Sequence, residues 1–365
     1  MIYLLAKYDL KKPLIFSSAL LLVGNWMRYA GTVQKLFPLL MMGQIIIGMS
    51  QPFVLACPTH FSNLWFSSRS RVSATALVSL ASPVGAAVGN LVNPALATDA
   101  SQIPFMVLVV AIISTGTAVS VFLIPAHPPT PISAASKTQH PALGASLRLL
   151  FKNTQFLLIL AEFTAYVALF NSFSTLLNQL MLPRGYTTDT AGFTGALLIV
   201  VGLIFSAILS PVIGRTHSFL LAVRLLVPLI AVCYVGFIFA PHHGLLAPPF
   251  IVASVLGAAS FSLLPCALEL AAEMTYPVTP EWSGNVMWAG GQFGGAILII
   301  VGGQLKTGPK DDMMWALVLM AALAVAVAPG VLFIGRRGKL QLARLTAEKD
   351  TNGESVGLNS RNANR

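Results

Sequence analysis

The chain has 365 residues, of which 56% are hydrophobic and only 9% are Asp, Glu, Lys or Arg, against roughly 25% charged in an ordinary soluble domain. That excludes a soluble globule and points to a membrane-embedded, all-α chain, because lipid demands apolar outward faces and backbone groups satisfied within each segment. The formal charge of +10 does not indicate nucleic acid, since the basic residues lie between apolar runs and not on one patch.

Apolar runs near the length needed to cross a bilayer, about 20 residues, fall at 13–31, 36–58, 72–96, 103–124, 154–178, 190–213, 218–240, 247–274, 282–304 and 313–335. Ten spans are therefore expected, in a multi-pass protein with the lipid bilayer as its first partner. Met1–Ala6 is too short an apolar stretch for a secretory leader and Lys7 follows it directly.

Alternate breaks carry unequal charge. The first set holds Lys7, Lys11, Lys12, Arg69, Arg71, Lys137, Arg148, Lys152, Arg215 and Arg224; the other holds Arg28, Lys35, Arg184, Lys306 and Lys310. Basic residues favour the cytoplasmic side, so the first set is placed inside, and the even span count puts both ends there too. The longest internal break, 125–152, starts PAHPPTPISAASKTQHP and is a Pro/Ser-rich linker fitting neither helix period nor strand alternation. The expected parts are an incomplete N-terminal helical half (1–124), a cytoplasmic linker (125–152), a C-terminal six-helix half (153–336) and a polar cytoplasmic tail (337–365) without enough apolar surface to order itself.

Polar residues within spans normally face the bundle interior or an aqueous path. At 100° per residue, Thr164, Asn171, Ser174, Thr175 and Asn178 share one face of the fifth span. Asn285, Trp288 and Gln292 share a face of the ninth, which Gly295 continues. Gln44, Gly48 and Gln51 line up in the second; Ser79, Ser82, Ala86, Asn90 and Asn93 do so in the third. A tryptophan beside amides suits an organic cation or an aromatic ring; the same pattern also serves interhelical packing. The cavity candidates are Gln51, Thr164, Asn171, Ser174, Asn178, Glu269, Asn285, Trp288 and Gln292. The pairs Gly85/Gly89 and Gly291/Gly295 have the spacing that lets helix backbones approach.

Glu162 lies about 13 Å inside the fifth span, some 180° from Asn171 on the wheel. It reads as a proton carrier or counter-ion, or as an acid hydrogen-bonded between helices. In LPCALELAAEMTYP, Glu269 and Glu273 stand one turn apart near a cytoplasmic helix end. Like charges at that spacing repel unless a cation intervenes; Arg215, in PVIGRTHS, is the nearest by topology. A snorkelling structural pair is the other reading. Cys57, Cys233 and Cys266 each lie in an apolar run and read as packing residues. His242 and His243 read as a solvated surface pair. No metal and no cofactor is expected. HExxH, GxSxG and a Walker loop are missing, which argues against an enzyme or an ATP-driven pump.

LVGNWMRYAG (22–31), GQIIIGMSQPFVLACPTHFSNLWF (43–66), FNSFSTLLNQ (170–179) and LELAAEMTYP followed by SGNVMWAGGQFGG resemble the feline leukaemia virus subgroup C receptor family, haem and choline transporters of the major facilitator superfamily. Within it, ASPVGAAVGNLVNPAL (81–96) looks more like the orphan major-facilitator-domain branch. The resemblance implies the six-plus-six major facilitator fold, with inverted repeats and a midplane site. On that fold the first two of twelve helices precede this chain. The choline-transporting members carry glutamine where Pro83 stands, tyrosine at Asn171 and glutamine at Gly291. KYDLKKP, with Asp9 and Lys12, and PVIGRTHS then resemble the superfamily's charged cytoplasmic loops. The resemblance implies gating roles for Asp9, Lys12, Arg215 and Glu273, with Glu269 belonging either to the latch or to the cavity floor. The expected function is secondary-active transport of a small organic solute, choline-like, vitamin-like or haem, by alternating access. The alternative is a truncated or non-transporting, receptor-like membrane protein.

Overall fold

The computed structural model describes residues 11–66, 68–125, 143–216, 218–241, 245–276, 278, 280–308 and 312–335. The first bundle holds α1 (Lys11–Val33), α2 (Phe37–Trp65), α3 (Ser68–Leu96) and α4 (Ile103–Ser120). A short α5 (Leu143–Lys152) leads into the second bundle. This comprises α6 (Thr154–Met181), α7 (Thr188–Thr216), α8 (Phe219–Phe239), α9 (Ala247–Met274), α10 (Pro280–Gln304) and α11 (Met314–Val327). A 3-10 segment, Ala328–Phe333, ends α11. Among the described residues the only strand-like pairing is one antiparallel bridge, Thr307 to Asp312.

The ten expected spans correspond to the ten longer helices. Eight of the described helices are long and apolar enough to cross a membrane. Of the other two, α1 is diluted by Lys11, Lys12 and Arg28, and α3 holds a shorter apolar stretch, Leu77–Gly89. One expectation is corrected: residues 143–152 are not irregular linker but helix α5. Leu150 and Ser146 on it are fully buried, so its stability comes from docking an amphipathic face on the second bundle.

Helix ends assigned to the same side of the membrane by charge meet one another. On the inner side Lys11 Nζ reaches the Phe122 carbonyl at 3.1 Å, Asn153 Nδ2 reaches that of Met274 at 2.9 Å, and Arg224 Nη2 reaches that of Ile334 at 2.8 Å. On the outer side Arg184 Nη1 approaches the Ile238 carbonyl at 3.4 Å, and the Tyr186 hydroxyl donates to that of Leu245 at 2.8 Å. Each bond satisfies a carbonyl that a helix end or a turn leaves open.

The packing of α1–α4 repeats in α8–α11: α1 against α2 and α4 matches α8 against α9 and α11, and α2 against α3 matches α9 against α10. Helices α6 and α7 precede the second set, and α3 meets α7 where the bundles join. The tightest crossing lies between α7 and α9. A Cβ on Gly202 would stand 2.7 Å from the Gly257 carbonyl oxygen, and one on Gly257 would run into the Leu198 carbonyl. Small residues are what allow such an approach in a membrane, where apolar burial itself supplies little drive between helices.

Candidate functional site

Helix α6 is fixed at its inner end by Asn153, whose Oδ1 accepts from the Gln155 and Phe156 amides at 3.0 and 3.2 Å. The Asn153 Nδ2 bond to the Met274 carbonyl ties this end of α6 to α9. One face meets α10 along a row of glycines. A Cβ on Gly290 would collide with Thr164 Oγ1; one on Gly291 would stand 2.6 Å from Val167 Cγ1; one on Gly295 would stand 3.2 Å from Asn171 Cβ. The absent side chains bring the two helix backbones close enough for short side chains to touch.

At this seam Asn171 Nδ2 donates to Gln292 Oε1 at 3.2 Å. Asn171 is half-buried and Gln292 exposed, so the pair stands at the edge of open space near the middle of both helices. One turn inward along α10, Trp288 packs edge-on to Phe163 with ring centroids 5.6 Å apart. The Asn285 amide Nδ2 is buried with no hydrogen-bond partner. A buried donor without an acceptor loses its hydration uncompensated.

The structure thus brings Thr164 and Asn171 of α6 against α10, where Gln292 bonds Asn171 and Trp288 packs on Phe163, with Asn285 farther inward on the same helix. Farther along α6, Ser174 is half-buried and Asn178 exposed. On α2, Gln44 and Gln51 are exposed, and this helix also touches α10. On α3, Ser82 and Ala86 are exposed, and a Cβ on Gly85 would meet nothing within 4 Å. The Gly291/Gly295 pair therefore packs a helix, whereas Gly85 faces open space. Glu269 is half-buried on α9. Glu273 is buried at 4% exposure, while Arg215 stands exposed on the last turn of α7. Lys12 opens α1, and Asp9 lies outside the described residues, as do His242 and His243.

A separate crevice of about 600 Å³ lies among α7, α8 and α9, lined by Phe205, Leu229, Ile251 and other mostly apolar residues, with Ser254 and Ser262 among them. Its lining lacks the amides of the α6/α10 seam, and several of its residues are exposed on the outer surface of the bundle; it is a lipid-side feature. Sequence reading missed the polar contacts between α1 and α4, where Asn25 Nδ2 meets Ser114 Oγ at 2.9 Å and Trp26 Nε1 meets Thr115 Oγ1 at 3.1 Å. Adjacent small hydroxyls at 114 and 115 were the available signal. It also missed the Tyr166 hydroxyl, which donates to the Ala324 carbonyl at 3.1 Å, a contact that depends on where α11 lies.

Comparison with known proteins agrees with this architecture. The chain is 27% identical over 378 residues to solute carrier family 49 member A3 of Danio rerio, covering 97% of this chain and 79% of that protein. It is 29% identical over 321 residues to the choline/ethanolamine transporter FLVCR1 of Felis catus, covering 84% of this chain and 57% of the cat protein. The crystal structure of the Escherichia coli fucose:proton symporter superposes with a TM-score of 0.66 over 91% of this chain and 85% of that one, at 14% identity, which speaks for the fold alone. The resemblance read from the α6, α9 and α10 motifs is borne out by these relatives. The profile of the Major Facilitator Superfamily matches residues 1–303. This chain is an integral, multi-pass membrane protein and belongs to the Major Facilitator Superfamily.

Proposed function

We propose that this chain is a secondary-active carrier that moves a small organic cation of the choline or ethanolamine type by alternating access, with the solute held between α6 and α10. The observation that carries this reading is the Asn171–Gln292 bridge at the edge of open space, with the Trp288 ring one turn and the unpartnered Asn285 amide two turns farther inward along α10. An aromatic face attracts an alkylammonium head, and amides can bond the hydroxyl or amine at its other end. Relatives described as choline/ethanolamine transporters support this solute class. Glu273 and Arg215 are proposed as an inner gate that pairs in one of the two states, with Lys12 and Asp9 as its counterpart in the first bundle. Glu269 is proposed to serve either that gate or the floor of the solute site.

The test is uptake of labelled choline and ethanolamine by cells lacking their own carriers, expressing the chain or its Asn171→Ala variant at equal surface level. Saturable uptake that falls about tenfold in the variant, the worth of one hydrogen bond to a charged solute, supports the reading. Absent uptake of either solute, or uptake indifferent to Asn171, refutes it.

A further inference from the structure

The opposite face of α6 carries the acid that the α6/α10 seam does not use. Glu162 is 4% exposed, and its Oε2 has no hydrogen-bond partner. Its Oε1 lies against Gly330, where a Cβ would otherwise sit. Gly330 belongs to the 3-10 segment Ala328–Phe333, in which Pro329 offers no N–H and the α-helical ladder is broken. One turn along α6 from Glu162, Tyr166 donates its hydroxyl to the Ala324 carbonyl at 3.1 Å, and the phenol oxygen keeps acceptor capacity. A carboxyl group and a phenol oxygen lie at one interface within the membrane, against a helix end tightened into 3-10 turns.

No basic side chain neutralises this acid among the described residues. On α8, Arg224 is engaged through Nη2 with the Ile334 carbonyl, and Tyr234 is buried with a partnerless hydroxyl. The sequences of α11 and its 3-10 segment contain no titratable residue. Glu269 and Glu273 belong to α9 and Arg215 to α7, Arg148 and Lys152 to α5, and Glu281 to the first turn of α10. An isolated carboxylate so placed is expensive, and a small cation bound to it removes the expense. An acid buried within a membrane marks a candidate ion or proton site.

We propose that Glu162, with the Tyr166 hydroxyl one turn along α6, binds a monovalent cation, a proton or a sodium ion, at a site separate from the solute. Because α6 carries the cation on one face and the solute on the other, occupancy of the first biases the position of the second. That coupling rests on the carrier reading above; cation binding itself is measured without solute.

Dicyclohexylcarbodiimide reacts with protonated carboxyls in apolar surroundings. The purified full chain in detergent is treated with it from about pH 5 to about pH 9, in sodium or in potassium at equal ionic strength, and the adduct on Glu162 is quantified by mass spectrometry. For a proton site the adduct falls about tenfold per pH unit above its midpoint, alike in both salts. For a sodium site it falls about tenfold in sodium relative to potassium at fixed pH, once sodium is near tenfold above its dissociation constant; Tyr166→Phe weakens that protection. Glu162→Gln controls the assignment of the adduct and is not needed for the measurement. Labelling that is unchanged across pH and salt, or absent from Glu162 throughout, overturns the proposal. Either result leaves the choline uptake test standing on its own.

Discussion

Gly257 of α9 gives the sharpest test of how the second bundle is held together. A Cβ there would run into the Leu198 carbonyl oxygen and stand 2.7 Å from the Leu198 carbonyl carbon and 3.0 Å from its Cα. Ordinary contact for such atoms begins near 3.4 Å, and the obstacle is helix backbone, which cannot rotate aside. Gly257→Ala must therefore push α9 off α7 by several tenths of an ångström or more, along a crossing where Gly202 also abuts Gly257. Overpacking of this kind costs about 1–3 kcal/mol. Alanine's better helix propensity, near 1 kcal/mol, offsets part of it. Gly236 on α8 is the control, because a Cβ there would stand 3.9 Å from the Val252 methyls, an ordinary contact. Thermal unfolding in one detergent, followed by intrinsic fluorescence, should place Gly257→Ala several degrees below the parent and Gly236→Ala at or above it. If Gly257→Ala melts at or above the parent, the α7/α9 crossing is not as close as described.

Asn153→Ala removes the cap of α6 and the donor to the Met274 carbonyl; it should destabilise by about 1–2 kcal/mol, while Asn153→Asp, which keeps the cap, should recover part of that in the same melting assay. Asn285→Ala deletes a buried donor that has no partner, so it should leave the melting temperature of the solute-free protein unchanged or raised while raising the KM for choline; a loss of stability with an unaltered KM would show that the amide serves packing. Gln155→Ala frees the Gly335 amide, now bonded to Gln155 Oε1 at 2.8 Å, and should speed proteolytic trimming just beyond that residue; an unchanged cleavage rate would mean that Arg224, bonded to Ile334, suffices alone.

Much of this was legible in the residues for a simple reason. In a bilayer each span must be apolar, long and helical, so the ten runs fall on ten helices, and helical period then sorts side chains by face. The wheel separated Glu162 from Asn171, and the structure finds the first against Gly330 and the second against Gln292. Which helix each face meets follows from topology, and single-span periodicity cannot supply it: neither the Asn171–Gln292 bridge nor the Tyr166–Ala324 contact is written in local sequence. Helix α5 escaped notice because LGASLRLLFK is shorter than a span and follows a Pro/Ser-rich stretch, so composition masked its amphipathic period. The break at the end of α11 did carry a signal, Pro329–Gly330, whose meaning appears only once Glu162 is seen to lie against it.

The seam between α6 and α10 is where the solute reading is tested most directly. Choline uptake by Asn171→Ala, Gln292→Ala and the double variant, at matched surface expression, measures whether the two amides act on the solute as one unit. Each single change should lower kcat/KM about tenfold, and the double change should be no more than about threefold worse than either, since partners in one bridge are not additive. Independent losses that multiply to about a hundredfold, or uptake that neither change affects, would contradict that reading.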